Sequence, residues 1–174
     1  MLKRHLLITL FMLLFNMVDS RAQAYFDAEF LDVWLRTTKY TLEVADKMPD
    51  SLYNYGPSLK SMTFKEQQLH IVGNISFLTN YITGKKQVFY QVNQLNDLNK
   101  EGVLEILTAS LQYVQQLIKE NDKNSIAEMI VFQGVKMSKE NIFYLINNHL
   151  SHHRAQAILY LRMNQIDPPA YVGW

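Results

Sequence analysis

The chain has 174 residues, with 17 Lys and Arg against 16 Asp and Glu, five His, no Cys and 48% hydrophobic residues. That is the length of one domain and enough to bury a core. A charge near zero with no basic run beyond Lys85-Lys86 argues against nucleic-acid binding, and the missing cysteines exclude disulfides, thiolate metal ligands and a cysteine nucleophile.

Residues 1–24 have the three parts of a cleavable signal peptide. Lys3, Arg4 and His5 form a polar head, Leu6 to Val18 is an apolar run broken only by Thr9 and Asn16, and Ala22-Gln23-Ala24 is an A-x-A site. The run is too short to span a bilayer, which takes about 20 apolar residues. Cleavage is expected after Ala24, giving an exported protein, periplasmic or secreted, whose single domain is 25–174; an uncleaved signal anchor is the alternative. Removal takes Lys3, Arg4 and Arg21 against Asp19, so the remainder carries 14 basic and 15 acidic groups. No later segment approaches transmembrane length, so no membrane association is expected after cleavage.

Four helices follow, each read from apolar residues recurring at three and four. The first runs from Phe26 to about Met48, with Phe30, Val33, Trp34, Thr37, Tyr40, Thr41 and Val44 on its stripe. The second, Thr63 to Ile82, opens on Thr63-Phe-Lys-Glu66, a capping-box pattern. Its stripe is Leu69, Ile71, Val72, Ile75, Phe77, Leu78 and Ile82. The third spans about Lys100 to Asn121 through Val103, Leu104, Ile106, Leu107, Leu111, Val114, Leu117 and Ile118. The fourth starts at Ser138 as N-cap and runs to about Asn164, with Ile142, Leu145, Ile146, His149, His153, Gln156, Tyr160 and Met163 along one side. The pattern predicts an all-α four-helix bundle. Its connections, about 49–62, 85–98 and 122–137, are long enough to shape a pocket; Ile130-Val131-Phe132 reads as a short extended piece and no more.

The chemistry lies in His149-Leu-Ser-His152-His153-Arg154. On a helix, His149 and His153 sit about 40° apart around the axis and roughly 6 Å along it, on one face. His70 interrupts the apolar stripe of the second helix. Three imidazoles from two packed helices, with open positions left over, form the pattern of a catalytic or substrate-binding metal site. The competing reading of each is a hydrogen-bonded core histidine. His152 points away and reads as a surface or supporting group. Glu66, four residues before His70, reads first as the capping partner and second as a base or an orienting group. Arg154 fits an inter-helix ion pair and Tyr160 the core. Asn74-Ile-Ser76 matches a glycosylation acceptor inside a helix, and Tyr171 to Trp174 can lap over the bundle or meet a partner copy.

The string Asn148-His149-Leu-Ser-His152-His153-Arg154-Ala155-Gln156, then Tyr160-Leu161-Arg162 and Ile166-Asp167-Pro168-Pro169, resembles the C-terminal signature of the DinB-like (DinB/YfiT) family. Thr63 through His70 matches that family's other landmark, a single histidine in the second helix. The resemblance implies a four-helix bundle of up-down-down-up topology and a divalent metal (zinc, nickel, manganese or iron) held by His70, His149 and His153. It also implies homodimers and, in characterised members, thiol-dependent transferases and isomerases acting on small molecules. The function expected is a metal-dependent transferase or hydrolase on a small molecule, with a low-molecular-weight thiol as one cosubstrate class; the alternative is a non-catalytic metal- or ligand-binding module. Two departures bear on this. Ala155 stands where the family has glycine, a mild change because alanine favours helix, and an exported protein has no assured supply of an intracellular thiol.

Overall fold

A computed structural model of the chain describes residues 29–91, 97–120 and 123–172. The expected signal peptide and the first turn of the first helix lie outside the described residues. Within them the chain is mostly helical, with four long helices. α1 occupies 29–47, α2 Phe64–Thr83 and α3 Lys100–Glu120; a four-residue helix α4, Lys123–Ile126, precedes α5, Lys139–Met163. α5 packs along α2, and α2 along α3.

α1 buries Phe30, Trp34, Tyr40, Thr41, Val44 and Ala45, and Met48 is buried just beyond its end. Val33, expected on this stripe, is exposed, because the buried face is narrower than the apolar residues suggest. The Trp34 indole is fully buried and its Nε1–H donates to the Leu111 carbonyl at 3.2 Å, tying α1 to α3. Pro49 cannot continue the helix, and a 3-10 turn, Asp50–Leu52, carries the chain away. Asp50 reaches α3, where Oδ1 accepts from the Lys100 amide at 2.8 Å and satisfies one of the free donors of that helix start.

α2 begins with the capping box read from its sequence. The Glu66 amide donates to Thr63 Oγ1 at 3.2 Å, and the Thr63 amide donates to Glu66 Oε2 at 2.7 Å. Gly84, at φ 69°, closes the helix in the left-handed region that glycine enters without steric cost. The link that follows doubles back over α2: Ser76 donates to the Gln87 carbonyl, and Tyr90 donates to the Leu69 carbonyl at 3.4 Å. Ser76, the third residue of the Asn74 glycosylation pattern, is thereby buried, and Asn74 itself is half-buried within α2.

The extended piece at 130–132 belongs to an antiparallel hairpin, β1 (Met129–Phe132) and β2 (Val135–Ser138), paired from Met129 with Ser138 to Phe132 with Val135. Gln133 and Gly134 both have positive φ, 49° and 81°, the signature of the tight two-residue turn that matches strand twist. The hairpin accounts for Phe77, expected on the core stripe of α2 but partly exposed. Its ring meets Phe132 at 6.1 Å, and Tyr81 meets Phe132 at 5.0 Å, so this face of α2 is covered by the hairpin. α5 then starts from Ser138, whose Oγ accepts from the Asn141 amide at 3.4 Å. α5 buries Phe143, Leu150, Ala157 and Leu161 besides the expected Ile142, Ile146 and Tyr160, because neighbours cover it on more than one side; Met163, near its end, is exposed.

The core forms two apolar clusters. One holds Phe30, Trp34, Ile71, Leu107, Phe143 and Leu150; the other holds Met48, Tyr53, Phe64, Leu69, Ala157 and Tyr160. Along α2 the change occurs between Leu69 and Ile71, and along α5 between Leu150 and Ala157. His70 and His153 occupy those two intervals, so the histidines stand at the seam between the clusters. Tyr171 folds back onto Tyr40 with ring centroids 5.9 Å apart; residues 173 and 174 of that tail lie outside the described residues.

Candidate metal centre

The three histidines named from the sequence come together. Ring centroids are 5.0 Å apart for His70 and His149, 4.5 Å for His70 and His153, and 4.4 Å for His149 and His153. One ring nitrogen from each lies within 4.8 Å of the others, a grouping able to hold a metal ion. Helix period explains the pair on α5 and packing of α2 on α5 supplies the third ring. Burial is graded: His153 is 7% exposed, His149 is half-buried and His70 is exposed. The site is therefore walled on the α5 side and open at His70.

Burial pushes His149 and His153 down to about 4, with the neighbouring His70 and His152 rings adding to the effect on both and His149 adding to it on His153. Both rings are neutral at pH 7, the form in which imidazole binds a metal. In the unfolded chain they return to about 6.5. Between those values the unfolded state takes up more protons, so stability falls as pH drops through the window and levels off below it. The melting temperature of metal-free protein is expected to fall by several degrees from neutral pH to about pH 4. Thermal scans check this, and a flat profile would contradict burial of the rings as neutral groups.

The donor set fits a divalent ion. His153 Nδ1 lies 2.6 Å from Gln67 Oε1, which leaves Nε2 as the free nitrogen of that ring. His149 Nδ1 is sealed from solvent and has no hydrogen-bond partner among the described residues, so a ligating role would relieve a buried polar atom left unsatisfied. A cleft of about 530 Å³ opens beside the group, lined by Asn54, Met62, Lys65, Leu69 and Tyr90 together with Thr63, Glu66 and His70. His70 is thus a member of both the triad and the cleft wall.

A family model described as the DinB superfamily matches residues 34–157, a span that contains all three histidines. The chain belongs to the DinB superfamily. Two solved structures have the same fold. A DinB-like protein from Bacillus subtilis is 19% identical, with a TM-score of 0.66 over 82% of this chain and 96% of that one. A DinB-like protein from Bacillus cereus is also 19% identical, with a TM-score of 0.70 over 82% of this chain and 95% of that one. A comparison with curated proteins finds no match.

The remaining sequence candidates of this DinB-superfamily chain separate clearly. Glu66 is the capping partner, and its side chain also borders the cleft. His152 is exposed, and its Nε2 accepts from Gln156 Nε2 at 2.7 Å. Among the described residues Arg154 has no carboxylate partner, contrary to the ion pair expected. Its guanidinium donates to the Thr37 carbonyl and Thr41 Oγ1 at 3.3 and 3.2 Å and lies over the Tyr40 ring at 4.9 Å, because the facing side of α1 presents threonine and tyrosine. The sequence reading missed Gln67. Its signal was a polar residue one turn before His70, with the spacing that places it on the same helical face.

Proposed function

We propose that this chain holds one divalent transition-metal ion (zinc, nickel, manganese or iron) through His70, His149 and His153, and acts with it as a transferase or hydrolase on a small molecule. The observation that carries this reading is the double membership of His70, which brings the three-nitrogen group to the edge of a cleft large enough for a small ligand. Bound there, such an ion would lower the pKa of a coordinated water or thiol or polarise a carbonyl. The chain's own residues do the rest. Met62, Leu69 and Tyr90 offer an apolar wall, and Asn54 and Lys65 offer polar groups that orient what enters. With no cysteine in the chain, any thiol must arrive as cosubstrate, and a low-molecular-weight thiol is the class the family suggests. The reading extends to an exported domain of residues 25–174, released after Ala24, with the family's up-down-down-up helix order, no membrane or nucleic-acid partner, and association as a homodimer.

The test is elemental analysis followed by turnover. Protein purified without a histidine tag should carry about one transition-metal ion per chain after reconstitution, and incubation with a panel of thiols and electrophiles should give product. Absence of metal in the reconstituted protein would reject the reading at its base.

A binding module without turnover is the second reading, and one observation favours it. Among the described residues lining the cleft, Glu66 is the carboxylate, and one of its oxygens is committed to the Thr63 amide. Metal-loaded protein that retains a small ligand yet is silent across the panel would select this reading.

A further inference from the structure

Gln67 is fully buried, and both ends of its amide are engaged. The direction of every bond around it follows from one atom whose role is fixed. The Met62 backbone carbonyl can only accept. The Tyr160 hydroxyl lies 3.0 Å from it and must spend its proton there. The Tyr160 oxygen, 3.2 Å from the Gln67 amide, is then an acceptor, so the Gln67 atom facing it is the NH2 group. The second hydrogen of that group reaches Gln156 Oε1 at 2.8 Å. The other end of Gln67 is therefore its oxygen, and the ring atom 2.6 Å away, His153 Nδ1, must be the one that carries hydrogen. The same logic runs on to the surface. With its oxygen taken by Gln67, Gln156 presents NH2 to His152 Nε2 at 2.7 Å, which places the His152 proton on Nδ1.

We infer that Gln67, itself oriented by Tyr160 and Gln156, is a positioning residue that locks neutral His153 in the Nδ1–H tautomer and so presents a bare Nε2 to the triad. The neutral histidine side chain in water favours the opposite tautomer, with hydrogen on Nε2, so the lock works against an intrinsic bias. A partner on the far nitrogen also fixes ring orientation and raises ligand basicity, an effect typically worth 10–100-fold in metal affinity. The tautomer stands on the hydrogen-bond geometry alone; its consequence for affinity rests on the proposed metal centre.

The experiment is long-range 1H–15N correlation NMR on the metal-free full chain, followed by competition titration with zinc. In the wild type, His153 should show the Nδ1–H pattern. Gln67→Met, which keeps the volume and removes both polar ends, should move His153 toward the Nε2–H form and weaken zinc binding by about 10–100-fold. Gln67→Glu, which keeps an acceptor for Nδ1–H while giving up the donor to Tyr160 and Gln156, should preserve the tautomer. An Nε2–H pattern for His153 in the wild type would overturn the inference without any variant having to fold. So would a folded Gln67→Met protein with an unchanged His153 tautomer. A wild type that shows the Nδ1–H pattern but binds no zinc, nickel, manganese or iron supports the lock and rejects the metal function, so the two failures are told apart.

Discussion

Replacing His70 by alanine should remove most of the stabilisation by metal while leaving the metal-free protein almost unchanged. His70 is exposed and contributes little to the core, so its loss leaves no buried cavity. It is also the only member of the triad on α2, and without it the two α5 rings remain as a bidentate pair. A ligand present at a hundred times its Kd stabilises the folded state by about 2.7 kcal/mol, which in a domain of this size raises the melting temperature by roughly 5–10 °C. The wild type should show a shift of that order with zinc or nickel, and His70→Ala should show most of it lost at the same metal concentration. Differential scanning calorimetry with and without metal reads both quantities. If the variant keeps the full wild-type shift, the ion binds elsewhere.

The second large effect is structural. Trp34→Ala should destabilise the fold by about 3–5 kcal/mol, the range found when a buried aromatic is truncated to alanine. The indole is fully buried in the same cluster as Ile71, Leu107 and Phe143, and its N–H carries the link from α1 to α3. Against a total stability of about 5–15 kcal/mol, that loss removes a large share. Trp34→Phe keeps most of the apolar volume and gives up the hydrogen bond, so it should cost much less. Urea unfolding of the two variants beside the wild type separates volume from hydrogen bonding. Equal losses in both would mean that the contact with the Leu111 carbonyl, rather than packing, dominates at this position.

Helix period made the long helices and the α5 pair of histidines legible, since His149 and His153 are separated by one turn and no tertiary knowledge is needed to place them together. The convergence of His70 required the packing of α2 on α5, which spacing alone does not specify; there the resemblance to the family supplied the missing link. Val33, Phe77 and Met163 were misplaced because an apolar residue at helical spacing does not declare which partner, if any, covers it. The β1–β2 hairpin escaped because each strand has only four residues and its turn, Gln133-Gly134, is not the usual Asn-Gly or Asp-Gly pair. Arg154 was misassigned for a different reason. An arginine between helices suggests a carboxylate, yet for the half-buried Arg154 backbone and hydroxyl oxygens with an aromatic face meet its needs. Gln67 was hidden because a glutamine within a helix reads as solvent-facing until the neighbour that buries it is known.

The graded burial of the triad sets how an ion held there would come and go. Two posts stand in the wall of α5, and the third, His70, lies exposed at the rim where water and competing ligands have access. Release would begin by detaching that outer ring, with no need to open the helices. A chelator should therefore strip the protein while its helices persist, unlike a zinc finger, whose fold goes with its metal. Occupancy would then follow the ions available around the protein from moment to moment, and keep no record of the one it folded with.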